Sequence, residues 1–187
     1  MNQFDIYSDI TKRTGGALFL GVVGPVRTGK STFISRLMEL LVLPNVPDSP
    51  AKTRMIDEIP QAGSGKTVMT TQPKFVPSEA VNITLNEHTS FDVRMVDCVG
   101  YMVSGALGAQ EADTPRMVKT PWFDQEIPFE QAAEIGTKKV IEDHSTIGIL
   151  VTTDGSITEI PRINYVKSEE RVAHELREAN KPFTVVL

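Results

Sequence analysis

The sequence has a single cysteine, three histidines and no long apolar run. One thiol, Cys98, cannot form a disulfide within the chain, which is typical of proteins from a reducing cytoplasm. A helix that spans a bilayer needs about 20 apolar residues in succession, and the run at residues 17–23 is far shorter. The histidines are predicted to lie at the surface, apart from one another, so no zinc-type cluster is expected. They are His88, His144 and His174.

Excess positive charge is also missing. The chain has 19 lysines and arginines against 24 aspartates and glutamates, a formal net charge of -5. Proteins that bind nucleic acid neutralise its phosphates with a basic face, so no nucleic-acid partner is expected. The 187 residues suffice for one domain with its own core, and 40% hydrophobic residues are ordinary for a soluble globular protein.

The strongest motif is GPVRTGKS at residues 24–31, which matches G-x-x-x-x-G-K-[ST]. The apolar run at residues 17–23 predicts a buried strand directly before it. Apolar residues at helical spacing over residues 32–43 predict a helix directly after it. Strand, glycine-rich loop and helix in this order are the context that a phosphate-binding loop requires.

Each fixed residue of this loop has a chemical task. Gly24 and Gly29 lack a Cβ, so backbone N–H groups can surround a phosphate at the positive end of the following helix. Lys30 is expected to reach the β and γ phosphates, and the Ser31 hydroxyl to coordinate Mg²⁺. The predicted phosphate-binding set is Gly24, Pro25, Val26, Arg27, Thr28, Gly29, Lys30, Ser31 and Thr32.

Asp97 is the candidate for the metal side of the site. Two strands are predicted over residues 75–85, with a possible break at Pro77, and over residues 91–96. The short polar segment between them favours an antiparallel hairpin. The second strand ends in Asp97-Cys98-Val99-Gly100, and an acidic residue at the carboxyl end of a buried strand is where phosphate-loop enzymes place a carboxylate.

Three segments show no sustained period. Residues 1–16 are predicted to be a short helix or arm packed on the domain edge, with an oligomer contact as the alternative. Residues 47–73 are predicted to be a polar loop that orders on ligand binding; the second GSGKT, at residues 63–67, has no strand before it. Residues 101–128, which include Trp122, are predicted to be an ordered functional loop.

The remaining elements complete an α/β fold. Helices are predicted over residues 129–143 and from Ser168 to residue 180, and strands over residues 146–151 and 183–187. The element order predicts a P-loop NTPase sheet that is parallel except for one antiparallel edge strand, with helices on both faces. Ligands of such sheets bind at the carboxyl ends of the strands, where Gly24, Asp97 and Thr152 are expected to meet. Residues 17–187 are thus predicted to be one nucleotide-binding domain, incomplete at its C-terminal end.

The phosphate loop, the threonine-bearing loop, the hairpin and Asp-x-x-Gly, in this order, resemble the translation-factor-like class of P-loop GTPases. More closely, the whole chain is similar to the N-terminal ATPase domain of the stage IV sporulation protein A family, the ATPases of the spore-coat basement layer. The most specific segments are GPVRTGKS at 24–31, VMTTQP at 68–73, VDCVGY at 96–101 and TPRMVKTPWFD at 114–124.

The resemblance implies ATP and Mg²⁺ as ligands. It implies that Thr70 or Thr71 senses the γ-phosphate and that Gly100 offers it a backbone N–H. It also implies that Asp97 supports the metal from behind the residues that touch it. The implied metal set is Ser31, Thr71 and Asp97, and the implied catalytic set, with Arg27 added from its place in the loop, is Lys30, Asp97, Thr70, Thr71 and Arg27.

For function, the resemblance implies a cytoplasmic ATPase that polymerises on the forespore surface, on the mother-cell side. The implied partners are further copies of itself, a small amphipathic membrane-anchoring sporulation peptide and other coat proteins. Two alternatives are a regulatory GTPase switch and a nucleotide-stabilised structural scaffold with little turnover. The guanine-reading motif of GTPases would follow residues 183–187, so these residues do not separate ATP from GTP.

Two residues depart from ordinary GTPases. Tyr101 occupies the position after Asp-x-x-Gly, where a glutamine or histidine often orients the attacking water, so slow hydrolysis is expected. Arg27 lies inside the phosphate loop, where a guanidinium could neutralise charge that develops between the β and γ phosphates. The alternative for Arg27 is a solvent-exposed side chain or a partner of an acidic residue.

Overall fold

The structure is a computed structural model that describes residues 16–60, 72–86, 89–111 and 114–187. The arm predicted for residues 1–16 lies outside the described residues except for Gly16, and so do the second GSGKT and both candidate sensor threonines, Thr70 and Thr71. Among the described residues, no helix has the length and apolar character that crossing a bilayer requires.

The described chain contains four α-helices and nine strands. In order they are β1 (Ala17–Val23), α1 (Lys30–Leu37), α2 (Pro50–Glu58), β2 (Lys74–Asn86), β3 (Thr89–Asp97), β4 (Gln110–Glu111), β5 (Thr114–Pro115), β6 (Met117–Thr120), β7 (Phe123–Pro128), α3 (Phe129–Lys139), β8 (Ile147–Val151), α4 (Ile163–Glu178) and β9 (Phe183–Val186). Two helices continue beyond their α-helical part: α1 through the π-helical turn Met38–Val42 and the 3₁₀ turn Leu43–Asn45, and α3 through the π-helical turn Val140–His144.

The main sheet has five strands in the order β2-β3-β1-β8-β9. Strand β1 pairs in parallel with β3 on one side and β8 on the other, and β9 continues the parallel set beside β8. Among the described strands of this sheet, only β2 runs antiparallel, as the partner of β3. The predicted α/β class and the single antiparallel edge strand are therefore confirmed, and the carboxyl ends of β1, β3 and β8 lie at one edge of the sheet.

Alternation along β1 sends successive side chains to opposite faces, and helices cover both. Val22 packs in a core with Ile34 of α1 and Met55 of α2. Its neighbour Val23 packs in a second core with Leu176 of α4 and with residues that follow α3. Val22 and Val23 are both completely buried, which explains why β1 is apolar throughout.

The break predicted in β2 is present at Pro77. The register of β2 against β3 shifts between Val76 and Val81, so the residues between them do not follow the regular ladder. Proline has no N–H to donate to a ladder, and an irregularity on an edge strand accommodates it. Glu58 at the end of α2 then accepts hydrogen bonds from the Ser78 N–H (2.8 Å) and hydroxyl (2.6 Å), which fixes α2 against this edge.

Part of the loop predicted over residues 47–73 is in fact helical. Helix α2 begins at Pro50, and the Ser49 hydroxyl accepts the Lys52 N–H at 3.3 Å as its N-cap. The sequence analysis places Pro50 in the loop that follows the predicted helix over residues 32–43. It is instead the first residue of the next helix, a position where the missing N–H of proline costs no hydrogen bond.

The described part of residues 101–128 contains short strands that the sequence analysis did not predict. Strands β4 and β5 form one antiparallel pair, and β6 and β7 form another. Helix α4 also begins earlier than predicted, at Ile163 instead of Ser168. Ser168 lies within the helix, where its hydroxyl donates to the Met102 carbonyl at 3.2 Å.

Candidate nucleotide-binding site

The glycine-rich loop leaves the carboxyl end of β1 and enters α1 at Lys30. Gly24 has φ 142°, and a Cβ built there would lie 2.2 Å from the Val151 carbonyl oxygen at the end of β8. No side chain fits at that distance. The loop is therefore drawn close to the neighbouring strand by its first glycine, as the phosphate-loop pattern requires.

Lys30 turns back into its own loop. Its side chain is buried, and its ammonium donates to the Pro25 carbonyl at 2.5 Å. The Thr28 hydroxyl donates to the same oxygen at 3.0 Å. Burial lowers the pKa of Lys30, while the nearby Cys98 and Asp97 act in the opposite direction. A buried ammonium whose pKa is lowered by desolvation is stabilised by any anion that replaces the lost water.

Ser31 and Asp97 face each other beside this lysine. The Ser31 hydroxyl donates to Asp97 Oδ2 at 2.7 Å. Asp97 Oδ1 is buried and has no hydrogen-bond partner among the described residues. Burial raises the pKa of Asp97, and the hydrogen bond from Ser31 and the charge of Lys30 oppose that rise. Hydroxyl and carboxylate oxygens suit a hard divalent cation, and an unsatisfied buried oxygen is open to a water of such a cation, so the residues fit Mg²⁺.

Gly100 packs directly on the phosphate loop. Its φ is 91°, and a Cβ there would lie 2.1 Å from the Gly24 carbonyl oxygen and 2.7 Å from Lys30 Nζ. The structure thus brings Gly24, Lys30, Ser31 and Asp97 together with Gly100, although Asp-x-x-Gly stands some 70 residues further along the sequence.

Tyr101 points away from this site. Its ring is buried, and its hydroxyl donates to the Glu175 carboxylate of α4. The Arg171 guanidinium lies 4.0 Å from the centre of the ring. Burial, with Glu175 as a second cause, raises the pKa of Tyr101 above its usual range. The side chain that follows Asp-x-x-Gly is therefore held in the protein core and does not face a nucleotide.

Arg27 lies on the flank of the loop, half-buried and with φ 61°. Together with Leu107 and Ile157 it lines a cavity of about 540 Å³. Ile157 is 64% exposed, and its Cδ1 lies 3.9 Å from the position of a Cβ on Gly29, so the segment after β8 rests against the loop. Leu107 and Ile157 were not predicted to lie near the site, because exposed apolar residues in irregular segments follow no period.

Thr152, expected at the site, follows β8 at the same edge of the sheet. Its backbone N–H donates to the Val186 carbonyl at 2.9 Å, and its hydroxyl donates to Glu169 of α4. Arg162 donates two hydrogen bonds to the same carboxylate, at 2.7 and 2.6 Å. Thr152 is thus near the loop along the sheet, but its side chain serves to fix α4.

Comparisons with known proteins give one consistent family. A family model described as "Stage IV sporulation protein A, ATPase domain" matches residues 1–187. Proteins named Stage IV sporulation protein A are 54% identical over 187 residues in Bacillus anthracis and in Bacillus subtilis (strain 168), which is 100% of this chain and 38% of each relative. The protein of that name in Clostridioides difficile (strain 630) is 61% identical over 183 residues, 98% of this chain and 37% of the relative. The chain therefore spans less than two fifths of the length of these relatives. No solved structure matches it.

Proposed function

Because this chain belongs to the stage IV sporulation protein A family, as an ATPase domain, we propose that it binds ATP with Mg²⁺ and hydrolyses it slowly. Hydrolysis makes the protein competent to assemble into a polymeric layer on the forespore surface, the base of the spore coat. The relatives are more than twice as long as this chain, so the activity and assembly of the whole protein are part of the proposal.

The arrangement of Lys30, Ser31 and Asp97 supports nucleotide binding most directly. A buried ammonium, a hydroxyl and a carboxylate, one oxygen of which has no partner among the described residues, lie together beside the start of α1. Phosphates would take the place of the Pro25 carbonyl as acceptors for Lys30, and the N–H groups of residues 27–32 would surround them. Mg²⁺, held through Ser31 with Asp97 behind it, would neutralise negative charge on the β and γ phosphates.

The rate of hydrolysis depends on which groups of the chain contact the γ-phosphate. Gly100 would donate its N–H, and Thr70 and Thr71 remain the proposed sensors, with Thr71 also a proposed metal ligand. Arg27 is the proposed source of positive charge between the β and γ phosphates. Since Tyr101 is engaged with Glu175, the usual water-orienting position contributes nothing, and turnover is expected to be slow.

Assembly and location are proposed from the family. The relatives' names connect them with sporulation, and we place the protein in the mother-cell cytoplasm at the forespore surface. Its proposed partners are further copies of itself, a small amphipathic sporulation peptide that anchors it to the membrane, and other coat proteins. Closure of a loop around the γ-phosphate is the kind of change that exposes an assembly surface.

The test compares Ser31→Ala with Ser35→Ala in the full-length protein. Both serines lie on α1 and each loses one hydroxyl, but Ser35 bonds to the Ser31 and Pro60 carbonyls and not to Asp97. Phosphate release and sedimentation of polymers are measured with ATP and Mg²⁺. We expect Ser31→Ala, like Lys30→Ala and Asp97→Ala, to lose turnover and assembly while Ser35→Ala retains both. Assembly that is indifferent to all of these changes would refute the proposal.

The burial of Tyr101 favours one alternative, a scaffold that binds nucleotide for stability and scarcely turns it over. Ligand at about 100 times its dissociation constant adds roughly 2.7 kcal/mol to the free energy of unfolding without any chemistry. In that case the wild type would release phosphate only at the background rate, and Lys30→Ala would not change that rate. Lys30→Ala would, however, lower the melting temperature measured in the presence of nucleotide. Titration of the full-length protein with ATP and with GTP separates the third possibility, a regulatory GTPase.

A further inference from the structure

Tyr101 is attached to the phosphate loop through its backbone. Its carbonyl accepts the Val26 N–H at 2.9 Å, and Pro25 and Tyr101 form a parallel bridge. This bridge continues the pairing of β1 with β3 beyond the ends of both strands. Gly100 lies between this bridge and Asp97 in the sequence. The bridge therefore holds the backbone directly after Gly100, the residue that would face a γ-phosphate, to the phosphate loop.

The side chain of Tyr101 makes a second attachment, to the helices. Its hydroxyl donates to Glu175, and the Arg171 guanidinium covers its ring. Arg171 in turn donates to Glu175 Oε1 at 3.0 Å and to Glu134 of α3 at 2.5 Å and 3.3 Å. We call Glu134, Arg171 and Glu175 the Tyr101 clamp, because these three residues from two helices enclose the phenol.

Charge and burial keep the phenol a hydrogen-bond donor. The clamp has two carboxylates and one guanidinium, so an acceptor remains for the hydroxyl after Arg171 has bonded to both. The Glu175 side chain is only 17% exposed, and water is a poor substitute for the phenol there. A donor aimed at a largely buried carboxylate forms a charge-assisted hydrogen bond, which is stronger and more directional than a neutral one.

Packing alone does not explain the tyrosine. Apart from Arg171, the buried residues that pack in one core cluster with it are apolar, among them Val23, Val140 and Leu176, and a phenylalanine would fill the same volume. The hydroxyl fixes the tip of the Tyr101 side chain against Glu175, while the backbone carbonyl of Tyr101 fixes the main chain against Val26. We propose that Tyr101 is a positioning residue, whose clamped side chain holds the Gly100 N–H in place for the γ-phosphate of ATP. This inference rests on the proposed nucleotide binding.

The consequence is a preference for nucleotides that have a γ-phosphate over those that lack one. If Gly100 is held in advance, ATP gains a contact that ADP does not make, and loss of the clamp weakens ATP alone. Tyr101→Phe keeps the ring and its contact with Arg171 but removes the hydroxyl. We expect it to reduce the preference for AMP-PNP over ADP by up to about tenfold, because Gly100 would then be ordered only on binding, and the free-energy cost of that ordering is limited by the strength of the one hydrogen bond that was lost.

Tyr165→Phe is the matched control. Tyr165 is also completely buried, and its hydroxyl bonds to the Thr158 hydroxyl at 2.9 Å. Both variants lose one buried hydroxyl and its hydrogen bond, so a merely structural role predicts the same result for both. Dissociation constants of AMP-PNP and ADP are measured by isothermal titration calorimetry with Mg²⁺ on the full-length wild type and on each variant.

Glu175→Ala approaches the same bond from the other side. It should reproduce the loss seen in Tyr101→Phe, and the double variant should lose no more than either single one, because all three lack the same hydrogen bond. An unchanged AMP-PNP to ADP ratio in Tyr101→Phe, an equal loss for both nucleotides, or the same loss in Tyr165→Phe would overturn the inference. A wild type that binds neither nucleotide would overturn the proposed function itself.

Discussion

Alanine at Gly100 should damage the site far more than alanine at Gly105, although both glycines have nearly the same positive φ angle. Their φ angles are 91° and 90°, so a side chain incurs equal left-handed strain at either, about 1–2 kcal/mol. The surroundings differ. A Cβ at Gly105 has its nearest neighbour at 3.9 Å, an ordinary contact, whereas at Gly100 it would lie 2.1 Å from the Gly24 carbonyl oxygen and 2.7 Å from Lys30 Nζ.

The magnitude follows from these distances. Gly105→Ala should lower the free energy of unfolding by the strain alone, about 1–2 kcal/mol. In Gly100→Ala the Gly24 backbone has to retreat by roughly 1 Å, and overpacking of this kind adds about 1–3 kcal/mol. The same shift moves the loop that holds the phosphates, and a displacement of about 1 Å in a reacting geometry can reduce turnover on the order of a hundredfold.

Two assays test this comparison. Urea denaturation, followed by the fluorescence of the single tryptophan, gives the free energies of unfolding, and phosphate release gives the turnover. Gly100→Ala should be the less stable of the two by at least about 1 kcal/mol and should lose its turnover. Equal losses of unfolding free energy in the two variants, or wild-type turnover in Gly100→Ala, would refute the reasoning.

Three further predictions concern buried or strained groups of the site. Burial lowers the pKa of Lys30 below its ordinary 10.5. Between the lowered pKa and 10.5 the unfolded chain binds more protons than the folded protein, so the free energy of unfolding should rise with pH. Urea denaturation of Lys30→Met should lack this rise. Burial raises the pKa of the Cys98 thiol from 9.0 to about 11, so iodoacetamide at pH 8 should alkylate it at least about a hundredfold more slowly than free cysteine, as followed by mass spectrometry. Arg27→Gly relieves left-handed strain that Arg27→Ala retains, so the glycine variant should be more stable than the alanine variant by about 1 kcal/mol. If both variants turn over ATP equally and well below the wild-type rate, the catalytic role of Arg27 is supported. Wild-type turnover in both variants would refute that role.

The central strands could be predicted because burial on both faces leaves a continuous apolar run. Strand β1 has the bounds that its apolar residues predict. Strands β4 and β5 are two residues each, and β7 is largely exposed, so neither length nor alternation marks them. The missed start of α2 is different, because Ser49 followed by Pro50 is a helix-start signal that lies within the predicted loop.

The phosphate loop and Asp97 could be predicted because their chemistry requires certain residues at set spacings. The hydrogen-bond partners of the site residues could not be predicted from the sequence. Lys30 bonds to the backbone carbonyl of Pro25, and any residue would supply such a carbonyl. Tyr101 meets Glu175, which lies 74 positions further along the chain. A contact across that separation arises from the packing of α4 on the sheet and leaves no local pattern in the sequence.

The bond between Lys30 and the Pro25 carbonyl has a calorimetric consequence. A nucleotide that reaches this ammonium does not add a hydrogen bond to the protein; it exchanges one acceptor for another, and the Pro25 carbonyl then keeps only the Thr28 hydroxyl. The heat released on binding should therefore be smaller than the number of phosphate contacts suggests. Much of the affinity would then come from the charge of the phosphates, which makes it sensitive to ionic strength.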